Sequence, residues 1–171
     1  MSSTNKTFHP LQIAVLTVSD TRNAETDTSG QTLADACEAA GHSLSDRTLC
    51  KDDIYAVRAI TSAWIADANT QVILITGGTG FAGRDSTPEA VQPLLDKTIV
   101  GFGELFRHIS YQDIGTSTIQ SRAFAGLANR TLIFCMPGST GACKTAWEDI
   151  ISAQIDSRTQ PCNFYQQIRP L

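Results

Sequence analysis

The sequence predicts an α/β fold, an open and mostly parallel sheet covered by helices on both faces. Three observations carry that expectation. Residues 13–18, 72–75 and 131–136 are apolar runs rich in β-branched side chains, the pattern of strands buried on both faces. Between them lie segments whose apolar residues recur at the helical period. The resulting alternation of strand and helix is the order of a parallel sheet with crossover helices. A chain of 171 residues fits one domain, large enough to bury about 70% of the surface that its unfolded form exposes. Residues 1–10 are polar and read as a flexible N-terminal tail, so the single domain is expected over 11–171.

Pro10 closes the tail, and residues 13–18 form the first strand, ended by Ser19 and Asp20. Residues 20–27 are rich in Thr, Asp, Asn and Glu and read as a loop. A helix starts at Thr28-Ser29, carries Leu33, Ala36, Cys37 and Ala40, and stops at Gly41. Residues 44–49 form a weaker, more polar strand that belongs near a sheet edge. Asp52 or Asp53 caps the next helix, whose Ile54, Val57, Ile60, Trp64 and Ile65 fall at helical spacing. The central strand leads into a glycine-rich loop, after which Thr87 caps a short helix with Pro88 at its first position. Pro93 ends or bends that helix. Residues 101–109 open a further helix with an apolar stripe of Phe102, Leu105, Phe106 and Ile109. Residues 115–118 make a polar turn, 123–127 a short strand, and Ala128-Asn129-Arg130 a reversal. The strand 131–136 is halted by Pro137-Gly138-Ser139. A last helix carrying Ala142, Ala146, Trp147, Ile150, Ile151 and Ile155 packs on the sheet, and Pro161 ends the order of the chain.

The loop Thr76-Gly77-Gly78-Thr79-Gly80, continued by Phe81-Ala82-Gly83-Arg84-Asp85, is where a site is expected. Glycine lets backbone N–H groups approach an anion or a flat ring closely, and it permits positive φ. Residues 78–83 formally match G-x-G-x-x-G. The dinucleotide fingerprint, however, sets its last glycine inside the opening helix, whereas this helix follows Thr87. The glycine spacing also approaches that of a P-loop, yet Arg84-Asp85 stands where Lys-Ser/Thr must hold phosphate and magnesium. A plain strand-to-helix connection needs fewer glycines.

Composition narrows the partners. The net charge is −4 with no basic cluster, which argues against nucleic acid or an anionic membrane as the main partner. The five cysteines, Cys37, Cys50, Cys135, Cys143 and Cys162, show no C-x-x-C spacing, and no apolar N-terminal run resembles a signal peptide. Reduced thiols in a cytoplasmic protein are expected. His9, His42 and His108 are scattered, none at ligand spacing from a cysteine, which argues against a zinc site.

Ligands of open parallel sheets bind at the carboxyl ends of the strands. Ser19-Asp20, the loop 76–80 and Pro137-Gly138-Ser139 all follow strands, so parallel strands would bring them to one rim, with Asp52 joining from the end of the second strand. Taken singly, Asp52 reads as a helix cap and Asp85 as a solvated loop charge. Taken together with Arg84 and the backbone N–H groups, the two carboxylates suit a phosphorylated substrate with a divalent metal.

Thr76-Gly77-Gly78-Thr79-Gly80, Arg84-Asp85-x-Thr87-Pro88-Glu89-Ala90 and Met136-Pro137-Gly138-Ser139, in that order, resemble the molybdopterin-binding domain family. The similarity runs over residues 13–164, with Ile114-Gly115-Thr116-Ser117-Thr118 and Ser121-Arg122-Ala123 supporting it. The resemblance implies a three-layer α/β/α fold and a place in molybdenum cofactor biosynthesis. Its ligand would be molybdopterin, a pterin bearing a dithiolene and a phosphate. Active members transfer AMP from MgATP to that phosphate and release pyrophosphate; others are not established as catalysts, so a binding or carrier protein stays open beside the adenylyltransferase. Matched motif to motif, Asp52 and Asp85 fall on the family's essential carboxylates, which would hold Mg²⁺ against the phosphates of ATP. Thr76, Gly77, Gly78, Thr79 and Gly80 would cradle the pterin side. Ser19, Asp20, Arg84, Pro137, Gly138 and Ser139 would complete the substrate site. Lys51-Asp52-Asp53 departs from the Pro-Asp-Glu common in adenylyltransferase members, which keeps the carboxylates and leaves the loop shape open. Relatives assemble as trimers or dimers of trimers, so a homotrimer or homohexamer is the expected assembly, with other proteins of the same biosynthesis as further partners.

Overall fold

The computed structural model describes residues 7–171, so the expected tail lies in part, at residues 1–6, outside the described residues. The strands are β1 (Gln12–Val18), β2 (Ser43–Cys50), β3 (Val72–Thr76), β4 (Lys97–Ile99), β5 (Phe124–Ala128) and β6 (Thr131–Met136). They form one six-stranded sheet in the order β2-β1-β3-β6-β5-β4. β2, β1, β3 and β6 run parallel, β5 runs antiparallel to β6, and β4 antiparallel to β5. The principal helices are α1 (Thr28–Ala39), α2 (Ile54–Ala66), α3 (Thr87–Val91), α4 (Val100–Ile114), α5 (Thr140–Ala146) and α6 (Ser152–Ile155).

Strand alternation divides the core in two. Ile13, Val15, Leu74, Phe134 and Met136 face α1, α4, α5 and α6 through Leu33, Phe102, Phe106, Ala146 and Ile155. Ala14, Leu16, Ile73, Ile75, Ile133 and Cys135 face α2 and α3 through Val57, Trp64, Ala90 and Val91. The result is the expected three-layer α/β/α sandwich. Each fully buried aliphatic or aromatic side chain contributes about 1.5–3 kcal/mol, so the doubly buried β3 and β6 anchor the domain.

Local chemistry explains the boundaries. The Asp27 carboxylate accepts from the Gly30 N–H at 2.9 Å to start α1, and Gly41, at φ 88°, ends it. Asp53 caps α2, its carboxylate accepting from the N–H groups of Tyr55 and Ala56, which leaves the Asp52 side chain free for other partners. Thr87 does not cap α3. It is the first residue of that helix, and its buried hydroxyl turns back to donate to the Gly77 carbonyl at 2.8 Å. Pro93 lies in a short 3₁₀ turn, Gln92–Leu94, that continues α3. In α4, Phe102 and Phe106 are buried as expected, but Leu105 is 44% exposed and leaves the stripe. A single π turn, Trp147–Ile151, joins α5 to α6 and lets Trp147, Ile150 and Ile151 all reach the core.

The chain keeps its order past Pro161. Ile168 is buried, and the Arg169 guanidinium donates to the carbonyls of Asp67 (2.8 Å), Ile65 (2.8 Å) and Asn129 (2.6 Å) and to the Thr131 hydroxyl (2.8 Å). Nearby, His9 stacks on Tyr165 with centroids 5.6 Å apart. Among the described residues no helix is long and apolar enough to cross a membrane. All five cysteines are free thiols, and burial pushes Cys37 up to about 12 and Cys50 and Cys143 up to about 11.

Candidate functional site

β1, β3 and β6 end side by side, and the loops that follow them pack too closely for side chains. Gly77 adopts φ 104°, and a Cβ there would lie 2.1 Å from the Val18 carbonyl oxygen. Gly78, at φ 64°, would bring a Cβ within 2.4 Å of the Thr87 hydroxyl. A Cβ on Gly138 would come within 3.1 Å of Gly77 Cα. Backbone contact among these loops opens a cleft of about 550 Å³ lined by Ser19, Asp20, Asp52, Gly77, Gly78, Thr79, Gly80, Arg84, Asp85, Pro137, Gly138 and Ser139. The structure thus brings together the residues expected at the rim, with one exception. Thr76 is fully buried beneath the cleft, its hydroxyl donating to the Pro137 carbonyl at 3.1 Å and lying 3.2 Å from Cys143 Sγ. As the last residue of a doubly buried strand it points into the core and tethers the Pro137 loop from below.

The cleft is rich in carboxylates. Asp52 Oδ1 accepts from the Ser86 hydroxyl at 2.8 Å and from the Ser86 N–H at 3.2 Å. Burial pushes the Asp52 carboxyl above its ordinary range; the Ser86 hydrogen bonds pull against this, and the charges of Asp85 and Asp20 add to the rise. Asp85 accepts from the Ala82 N–H at 2.8 Å. Arg84 pairs with Asp20 through Nε at 2.8 Å and donates to the Asp52 carbonyl at 3.2 Å, spanning the cleft from the glycine loop to the end of β1. Lys51, where the loop shape was open, donates to the Asp20 carbonyl at 2.7 Å and ties the loop after β2 to the loop after β1. Ser139 accepts from the Ala142 N–H at 3.1 Å as the cap of α5, so its position at the rim is fixed by the helix that it starts. Gly83 stands in an open turn before α3 with nothing within 4 Å of a Cβ, which removes the dinucleotide fingerprint.

Residues 14–157 match the family described as "Probable molybdopterin binding domain". The chain belongs to the molybdopterin-binding domain family. It is 55% identical over 169 residues, 99% of both chains, to molybdenum cofactor biosynthesis protein B of Escherichia coli strain K12. It is 48% identical over 149 residues to the protein of that name from Staphylococcus aureus strain MRSA252, covering 85% of this chain and 88% of the relative. Among solved structures, a molybdenum cofactor biosynthesis protein B superposes with a TM-score of 0.84 at 42% identity, over 88% of this chain and 94% of that one. The tungsten cofactor synthesizing protein MoaB from Pyrococcus furiosus follows with a TM-score of 0.74 at 32% identity, over 82% and 90%.

In this member of the molybdopterin-binding domain family, sequence reasoning missed residues in and around the site. Thr21 and Arg22 also line the cleft. A second cavity, of about 270 Å³, opens on the far side of the Pro137 loop. Phe106 and Ile114 give it an apolar wall, Ser110, Asp113 and Ser121 supply polar groups, and Pro137 and Ser139 are shared with the cleft. Arg122, which follows the polar turn in sequence, donates to the carbonyls of Gly80 and Asp85 and pairs with Glu89.

Proposed function

We propose that this protein works in molybdenum cofactor biosynthesis, binding molybdopterin and transferring AMP from MgATP to its phosphate with release of pyrophosphate. One observation carries the reading: Asp52 and Asp85 reach a single cleft of about 550 Å³ from different loops, close enough for their charges to oppose each other, and the backbone of the glycine loop lines the same cleft. The names of the family's members at 55% and 48% identity support the pathway. In the transfer, an oxygen of the molybdopterin phosphate bonds to the α-phosphorus of ATP. The bond from that phosphorus to the bridging oxygen breaks, and pyrophosphate leaves with the bond's electron pair.

The residues fit a hard divalent cation. Crowded carboxylate oxygens, one of them with its pKa raised by burial and by its neighbours, are donors of the kind Mg²⁺ prefers. Asp52 and Asp85 would hold it, and when bound it would neutralise charge on the phosphates. Backbone N–H groups of the glycine loop would face the phosphate oxygens, and Arg84 would exchange Asp20 for phosphate. The shared wall at Pro137 and Ser139 leaves the 270 Å³ cavity available to the flat pterin.

A carrier that binds molybdopterin without transferring AMP has one observation in its favour. Among the described residues no three His, Cys, Asp or Glu side chains converge as a metal site, so the cation would depend on ligand phosphates for most of its coordination. Supplying the purified protein with molybdopterin and MgATP decides between the two. Adenylylated pterin and pyrophosphate are expected; binding without product would establish the carrier.

A further inference from the structure

Arg122 does not line the cleft, yet its donors converge on the loop that carries Arg84 and Asp85. Its backbone N–H donates to the Thr79 carbonyl at 3.0 Å. Its Nε donates to the Gly80 carbonyl at 2.9 Å and its Nη2 to the Asp85 carbonyl at 2.9 Å, while Nη1 pairs with the Glu89 carboxylate. The Phe81 ring covers the guanidinium at 5.2 Å, although the ring itself is 69% exposed. Gly80 and Asp85 are the two ends of the turn, so one planar group bridges its mouth. Inside the turn the polar contacts are local, from the Asp85 N–H to the Ala82 carbonyl at 2.9 Å and from the Ala82 N–H to the Asp85 carboxylate at 2.8 Å.

We infer that Arg122 is a positioning residue: it clamps the turn 80–85 shut and thereby aims the Asp85 carboxylate into the cleft, without touching the ligand. A planar fork is required, because it must meet two carbonyls and a carboxylate in fixed directions. A lysine ammonium carries the same charge but reaches one of those acceptors at a time. Phe81 shields the clamp from water on its outer side, which accounts for an exposed aromatic ring directly after the glycine loop.

The kinetic part of the test rests on the adenylyl-transfer reading, whereas the structural part does not. Full-length wild type, Arg122→Lys and Arg122→Ala would be compared by amide hydrogen exchange, melting temperature and turnover with molybdopterin and MgATP. Exchange at Ala82 and Asp85 is expected to quicken by about tenfold or more in both variants while β3 and β6 keep their protection. Turnover should fall by roughly ten- to a hundredfold with KM for MgATP nearly unchanged. Guanidinium ion should restore part of the loss in Arg122→Ala. If Arg122→Ala fails to fold, Arg122→Lys and Glu89→Gln carry the measurement. Unchanged exchange at the turn, or wild-type exchange and turnover in Arg122→Lys, would overturn the inference. A wild type without turnover would sink the transfer reading alone, leaving the exchange result to decide the role of Arg122.

Discussion

Asp52 is ionised at some cost to the folded state. Burial raises its pKa above the ordinary 3.8, and Asp85 and Asp20 add to the rise. A carboxyl with a raised folded pKa gives its full stabilisation below the ordinary value, and that stabilisation is lost as pH climbs through the folded pKa. At neutral pH the charge therefore opposes folding, so Asp52→Asn should melt no lower than the wild type. Under the transfer reading the same variant should lose turnover by about a hundredfold, roughly 3 kcal/mol of transition-state stabilisation, and so should Asp85→Asn. Molybdopterin affinity should change little in either. The double variant should lose less than the sum, because both carboxylates would serve one cation; an untouched turnover in Asp85→Asn would end the metal role given to its loop. His42 gives the opposite pH signature. It is buried, its Nδ1 accepts from the Leu11 N–H at 3.1 Å, and burial, with Arg158 nearby, holds its pKa below the ordinary 6.5 against the pull of Asp156. The unfolded chain takes the proton first as pH falls, so stability should be full above about pH 6.5 and decline below it. Urea midpoints at pH 8 and pH 5.5 should separate in the wild type and draw together in His42→Gln.

At the scale of elements, glycines with different surroundings should respond differently. Gly77→Ala puts a Cβ 2.1 Å from a carbonyl oxygen at φ 104° and should cost about 3 kcal/mol or more, read as a loss of urea midpoint. Gly83→Ala meets nothing within 4 Å and should stay within about 0.5 kcal/mol of the wild type. Equal effects from the two would show that the loops are not packed as described. The same contrast explains what could be read from the sequence. The long strands and α1, α2 and α4 announce themselves by period, and the rim follows from parallel strands ending in loops, so Asp20, Asp52, Asp85 and the glycines could be gathered in advance. β4 spans only Lys97–Ile99, too short to display an alternation. Thr76 adjoins the glycine motif in sequence and reads as part of it, whereas strand geometry turns its side chain to the core. The guanidinium of Arg122 meets Gly80 across 42 positions, and that of Arg169 meets Ile65 across 104. Such donor-to-carbonyl contacts leave no local pattern for a reader of sequence to find.

At the scale of the whole molecule, the apolar surface bears on assembly. Val100, Tyr111, Ile114 and Ile119 are between 54% and 75% exposed along α4 and the turn after it, whereas Phe102 and Phe106 of the same helix are buried. A trimer or hexamer covering this surface is the expected assembly, and light scattering that returned the 18.4 kDa of a single chain across dilution would refute it. Reductant should leave the melting temperature unchanged, because the thiols are unpaired and the buried ones resist ionisation; a clear fall on reduction would reveal a disulfide. The hold of Arg169 on Asp67 and Thr131 has a practical side as well. Asp67 ends α2 ahead of β3 and Thr131 opens β6, whereas the cleft lies where those two strands end. With Leu171 71% exposed beyond that hold, an affinity handle appended there would attach the protein to a sensor surface by its blunt end and leave the ligand entrance facing solution.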